Sequence, residues 1–215
     1  QALGRHDPGG RAAALSLERY ADTDPRVTAA IRFLAADPSP LRAQGATRKT
    51  DLVLLTNGRG GMARLCVDLG RVTSKYDCVL GANLHPALPV DRHIFAKRFR
   101  VWADAHGFIS PLNAENLLSF HADPSPRWVF AANAGDGQVA SILVTANLLA
   151  DQNTVVLRFE RAAVVPEGAR LLPDQADVRL TVRVDLEDRN FHCETKRSGA
   201  AEQHFATHAR LLQGA

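Results

Sequence analysis

Three carboxylates near the C-terminal third of the chain, Asp185, Glu187 and Asp188, are the first candidates for chemistry. Two carboxylates facing each other across a sugar are the requirement for acid-assisted glycoside hydrolysis. The role of acid needs one of them buried, with its pKa raised. Nothing in the local sequence marks one of these three that way, and a solvated strand end accounts for the cluster as well. His204 and His208 are spaced i, i+4, which on a helix puts both on one face. Neither a third ligand nor a glutamate at the offset of a metalloprotease helix accompanies them, so the sequence alone gives no metal site and no cofactor. No Gly-x-Ser-x-Gly elbow is present. Cys66 sits in an apolar run and reads as a core residue, not a nucleophile. Gly58-Arg59-Gly60-Gly61 lacks the Lys-Ser/Thr and the following helix of a phosphate cradle.

Sugar binding remains, with an aromatic face for the ring and polar groups for its hydroxyls. Tyr76, Trp102, Phe108 and Trp128 are the aromatic candidates, and each also fits a core position. Asn57, Arg59, Lys75 and Asp77 flank turns and are candidate polar contacts beside Tyr76. The same residues serve equally as turn and hairpin chemistry.

The elements that would position these groups are mostly strands. Leu52 to Leu55 is an apolar run entering the glycine turn, and Met62, Leu65, Val67 and Leu69 lead out of it. A second run covers Tyr76 to Leu80. Phe95, Phe99, Val101 and Ala103 alternate within His93 to Ala103, with Lys97 interrupting. A turn at Ala105-His106-Gly107 sends the chain back through Phe108 to Leu112. Arg127 to Ala132 runs into Ala134-Gly135-Asp136-Gly137, a strong hairpin signal. Val139 to Leu149 and Val155 to Phe159 follow, separated by Asp151-Gln152-Asn153. Val178, Leu180, Val182, Val184 and Leu186 alternate with Arg179, Thr181, Arg183 and Asp185, which predicts one wet and one buried face. Phe191 to Thr195 is expected to pair after it. Turns every 8 to 12 residues with little helix argue for an antiparallel sandwich or barrel.

Helix is expected in three places. Arg11 to Tyr20 is rich in Ala and Leu. Asp24-Pro25 resembles a cap followed by a first-turn proline, and Val27, Ile31 and Leu34 then recur at helical spacing. Residues 113–120 suit a short helix. Asp37-Pro38-Ser39-Pro40 ends the second helix, and residues 41–50 read as a linker. The chain thus divides into a helical appendage with linker over 1–49 and a β domain over 50–215.

Composition bounds the function. The 215 residues are 46% hydrophobic and 23% charged, enough for a sizeable core. Net charge is +3, and no basic block or aromatic-interleaved basic stripe supports nucleic acid as a partner. No apolar stretch reaches the length of a membrane span. Three cysteines, Cys66, Cys78 and Cys193, without Cys-x-x-Cys spacing, read as buried free thiols in a reducing cytoplasm.

The stretch Leu54-Leu55-Thr56-Asn57-Gly58-Arg59-Gly60-Gly61, followed by Lys75-Tyr76 before Val79-Leu80, resembles the N-terminal domain of bacterial and archaeal-type glycogen debranching enzymes, the amylo-α-1,6-glucosidases. Ser74-Lys75-Tyr76-Asp77 stands where that family has Arg-Arg-Tyr-His. The resemblance runs through residues 50–100 and, on strand pattern, to about residue 195. It implies a supersandwich-like β-sandwich and a parent protein that hydrolyses α-1,6 branch linkages. It also implies that the catalytic carboxylates lie on a downstream helical α/α barrel. The partners so implied are that barrel and an α-glucan; a homo-oligomer stays open. A stand-alone carbohydrate-binding or assembly module is the alternative.

Overall fold

A computed structural model describes residues 51–85, 91–122, 125–194 and 196–209, together with the backbone of two earlier strands. The described residues form two mostly antiparallel sheets packed as a sandwich, with one short helix.

The first sheet contains β3 (Leu52–Thr56), β4 (Met62–Cys66), β5 (Cys78–Asn83), β6 (Arg92–Ala105), β7 (Phe108–Pro111) and β13 (Val178–Asn190). Its order is β13-β6-β5-β4-β3, with β7 beside β6. The second contains β1 (Ala12–Glu18), β2 (Arg26–Leu34), β8 (Leu117–His121), β9 (Arg127–Gly135), β10 (Gln138–Leu148), β11 (Thr154–Arg161) and β12 (Arg170–Leu171). Its order is β1-β2-β11-β10-β9-β8, with β12 on β10. Helix α1 (Gly199–His208) follows β13.

Period-two patterning builds the core. On β6, Phe99, Val101, Ala103 and Ala105 are buried, while Arg98, Arg100, Trp102 and Asp104 between them reach the outer face. On β13, Val178, Leu180, Val182 and Val184 pack on the core, and Arg179, Thr181 and Arg183 are exposed. Trp128 is fully buried, and its Nε1 donates to the Val67 carbonyl at 3.0 Å, joining the two sheets. Each fully buried large apolar side chain contributes about 1.5–3 kcal/mol. The expected hairpin at Ala134 to Gly137 forms, with Asp136 and Gly137 both at positive φ.

Four expectations are corrected. The two described segments of the expected helical appendage are strands, not helices, and β2 runs parallel to β11 as part of the second sheet. The sequence of β2 alternates too, at Val27, Ala29, Ile31 and Phe33, and its β-branched residues suit a strand. The open edge of β11 supplies the pairing that helical spacing alone does not predict. The one described helix is C-terminal. Residues 113–120 divide into a turn and β8, which pairs with β9. Phe191 to Cys193 form a turn after β13, held by a bond from Phe191 N–H to the Arg92 carbonyl at 2.8 Å. This turn leaves Cys193 exposed, whereas Cys66 and Cys78 are buried as expected. The expected N-terminal lead, the Asp24-Pro25 cap, the Asp37 to Pro40 stop and the 41–50 linker lie outside the described residues.

Candidate functional site

Two strand connections and one sheet face carry the polar chemistry. The first connection is the turn between β3 and β4. Gly58 and Gly60 adopt φ of +77° and +83°, which explains the glycines. Asn57 is only 4% exposed and is wholly used inside the fold. Its Oδ1 accepts from Arg59 N–H at 2.9 Å and Gly61 N–H at 2.8 Å. Its Nδ2 donates to the Gln152 carbonyl at 2.8 Å and to Asn153 Oδ1 at 3.1 Å. The amide therefore locks the turn and ties one sheet to the β10–β11 turn of the other. Arg59 points outward, and its Nε lies 3.3 Å from Asp151 Oδ1 with both side chains more than two-thirds exposed.

The second connection joins β4 to β5. Asp77 is 2% exposed. It pairs with Arg64 and accepts from the backbone N–H of Thr73 and Ser74 at 2.5 and 2.9 Å. Like Asn57, it is a brace. Lys75 is exposed; its Nζ donates to the His192 carbonyl at 2.8 Å and lies over the Tyr76 ring. Tyr76 is half-buried against Phe191, their centroids 4.8 Å apart. Phe191 in turn covers a small second core of Met62, Cys78 and Ile94. The Lys75 carbonyl accepts from Lys97 Nζ at 2.8 Å and Arg189 Nη2 at 2.6 Å. Burial pulls the Lys97 ammonium pKa down, and the nearby Arg189 charge adds to that.

Among the described residues no hydrogen bond or ring contact joins Arg59 to Lys75 or Tyr76. The five candidate contacts thus fall into two groups. In each, one residue is an internal brace and the others are presented outward.

The third feature is the outer face of β6 and β13. Asp185 accepts from Arg98, from Arg100 Nη2 at 3.1 Å and from Arg183 Nε at 3.2 Å. Burial alone would push its carboxyl pKa up, but the Arg98 and Arg100 hydrogen bonds and charges outweigh that and hold it below the usual range. Trp102 is half-exposed on the same face, under the Arg100 guanidinium. Glu187 pairs with Arg189 at 3.0 Å. Asp188 accepts from His93 Nδ1 at 2.6 Å and from His204 Nε2 at 2.9 Å. Helix α1 thus brings His204 and His208 to Asp188, supplying the third donor that the local sequence lacks. Only alternation on β6 and β13 hinted at the arginine cluster, and nothing in the sequence linked Asp188 to the histidine pair.

The sequence matches the family described as glycogen debranching enzyme N terminal over residues 52–213. No curated protein and no solved structure matches the chain. The matched segment holds both connections, the outer sheet face and helix α1, and covers most of the sequence. On that match, the chain belongs to the glycogen debranching enzyme N-terminal family.

Proposed function

We propose that this chain is the non-catalytic N-terminal domain of a glycogen-debranching-type α-1,6-glucosidase. It supports a catalytic α/α barrel and contributes contacts to an α-glucan. The observation that carries this reading is the condition of Asp185, the first of the three clustered carboxylates. Its arginine partners keep it ionised, with a depressed pKa. A general acid in glycoside hydrolysis needs the opposite, a proton retained near neutral pH. Glu187 and Asp188 are likewise engaged, by Arg189 and by two histidines.

The outward groups suit a hydroxyl-rich partner. Arg59 and Lys75 offer donors, and the Tyr76 and Trp102 rings offer partly exposed apolar faces. Affinity electrophoresis in a gel containing branched α-glucan tests the contact. The chain should be retarded, and Arg59→Ala or Tyr76→Ala should relieve the retardation. Migration equal to that in a glucan-free gel would remove the glucan contact from the account. Barrel support is then tested separately, by association with the separately expressed barrel domain.

A further inference from the structure

The geometry points to a site for a zinc-class divalent cation formed by Asp188, His204 and His208, which clamps α1 onto β13. One donor atom from each residue lies within 4.8 Å of the other two. Two imidazoles and a carboxylate are the donor set of zinc and neighbouring first-row ions, not of magnesium or calcium. Two ligands of one tetrahedral ion at about 2.0–2.2 Å lie about 3.3–3.6 Å apart, so His204 Nε2, now 2.9 Å from Asp188 Oδ2, must ease slightly away to admit the ion. The His204 side chain is 41% exposed and has room to do so.

The surrounding hydrogen bonds prepare the ligands. His208 Nδ1 lies 2.7 Å from the His204 carbonyl. A carbonyl only accepts, so Nδ1 carries the proton and the neutral ring keeps its lone pair on Nε2. Asp188 is 6% exposed, and His93 Nδ1 donates to its Oδ1 at 2.6 Å. That bond fixes the carboxylate and leaves Oδ2 toward His204, an arrangement typical of outer partners in metal sites. In the metal-free state His204 Nε2–H donates to Oδ2. On coordination that proton moves to Nδ1 or leaves to solvent, and the Nε2 lone pair takes its place on the ion.

The helix gives the site a purpose. No residue of α1 is buried. Its attachment to the sheet therefore has little apolar surface to rely on, and a shared cation would hold it. The core sandwich does not depend on that ion, because its apolar cluster is formed without α1.

The test is zinc titration of the full chain carrying Cys193→Ser, which removes the exposed thiol, in competition with a chromophoric chelator. Hydrogen exchange is read in parallel. One equivalent should bind, and amides of residues 199–208 should gain protection while those of β6 and β10 do not change. His204→Ala with His208→Ala should abolish binding, and His93→Ala should weaken it about tenfold or more. Cobalt should show a spectrum of nitrogen and oxygen ligation without a thiolate charge-transfer band. Absence of saturable zinc binding, retention of binding in the double variant, or bound zinc without added protection of α1 would each overturn the proposal. No residue of α1 belongs to the apolar core, so the double variant should stay folded, which its thermal melt verifies.

Discussion

Asp185 Oδ1 lies 3.1 Å from Arg100 Nη2, across the ladder that joins β6 to β13. The contact places an ionised carboxylate among guanidinium groups on an open sheet face. Its folded pKa is depressed, so the carboxylate binds its proton less readily in the folded than in the unfolded chain. Its stabilisation is therefore present above the unfolded pKa of about 4 and is lost as pH falls through the lower folded value. Denaturant titrations from pH 6 down to pH 2 should show stability falling. Asp185→Asn should be less stable at pH 6 and show a shallower decline. An unchanged acid limb in the variant would mean that the arginines do not hold this charge.

The two faces of β13 should respond oppositely to charge. Leu180 is half-buried and packs on the core, whereas Arg179 is exposed. Leu180→Asp should cost roughly 3 kcal/mol or more, since it forces an unpaired carboxylate against apolar neighbours. Arg179→Asp should stay within about 0.5 kcal/mol. Urea midpoints of the two variants give the comparison, and equal losses would contradict the facing of the strand.

The glycine turn separates structural from contact residues. A Cβ at Gly60 would strike the Asn83 side chain, and its φ is +83°. Gly60→Val should therefore cost roughly 1–3 kcal/mol from backbone strain. Asn57→Ala should lose a similar amount, because it leaves the buried Gly61 N–H without its acceptor. Arg59→Ala should change the stability of the chain by no more than about 0.5 kcal/mol, since its ion pair is exposed. Thermal melts of the three variants check this order; unfolding by Arg59→Ala would make that residue an anchor.

Thiol labelling should distinguish the cysteines. Cys78 is fully buried, and desolvation raises its pKa to about 11. Burial also raises that of Cys66. Cys193 is exposed. An alkylating reagent at neutral pH should modify the native chain once, at Cys193, and all three cysteines only after denaturation. Rapid native labelling of Cys78 would show that the small core under Phe191 opens readily.

Strand alternation was legible wherever one face meets water. Val178 to Asp185 and Phe99 to Ala105 show it, because outward residues, mostly charged, alternate with apolar inward ones, with Thr181 and Trp102 as the uncharged members of the outer face. The N-terminal segments are ambiguous in sequence, because Ala-rich runs and a Val27, Ile31, Leu34 spacing satisfy a helix as well as a strand. Pairing with β11 is a tertiary fact that local spacing does not encode. Asn57 and Asp77 were legible as turn residues, but their burial was not. It arises from the Gln152–Asn153 turn and from Arg64, contributed by distant or neighbouring strands. The histidine pair was visible at its helical spacing, whereas Asp188 reaches it only because the chain turns back after β13.

Incubation of the purified chain with a branched α-glucan, followed by measurement of released glucose and linear chains, tests the central claim most directly. The account predicts no turnover above the buffer control, because Asp185 and Glu187 are held in ion pairs with arginines and Asp188 is hydrogen-bonded to two histidines. Turnover by the chain that is lost in Asp185→Asn or Glu187→Gln would contradict it.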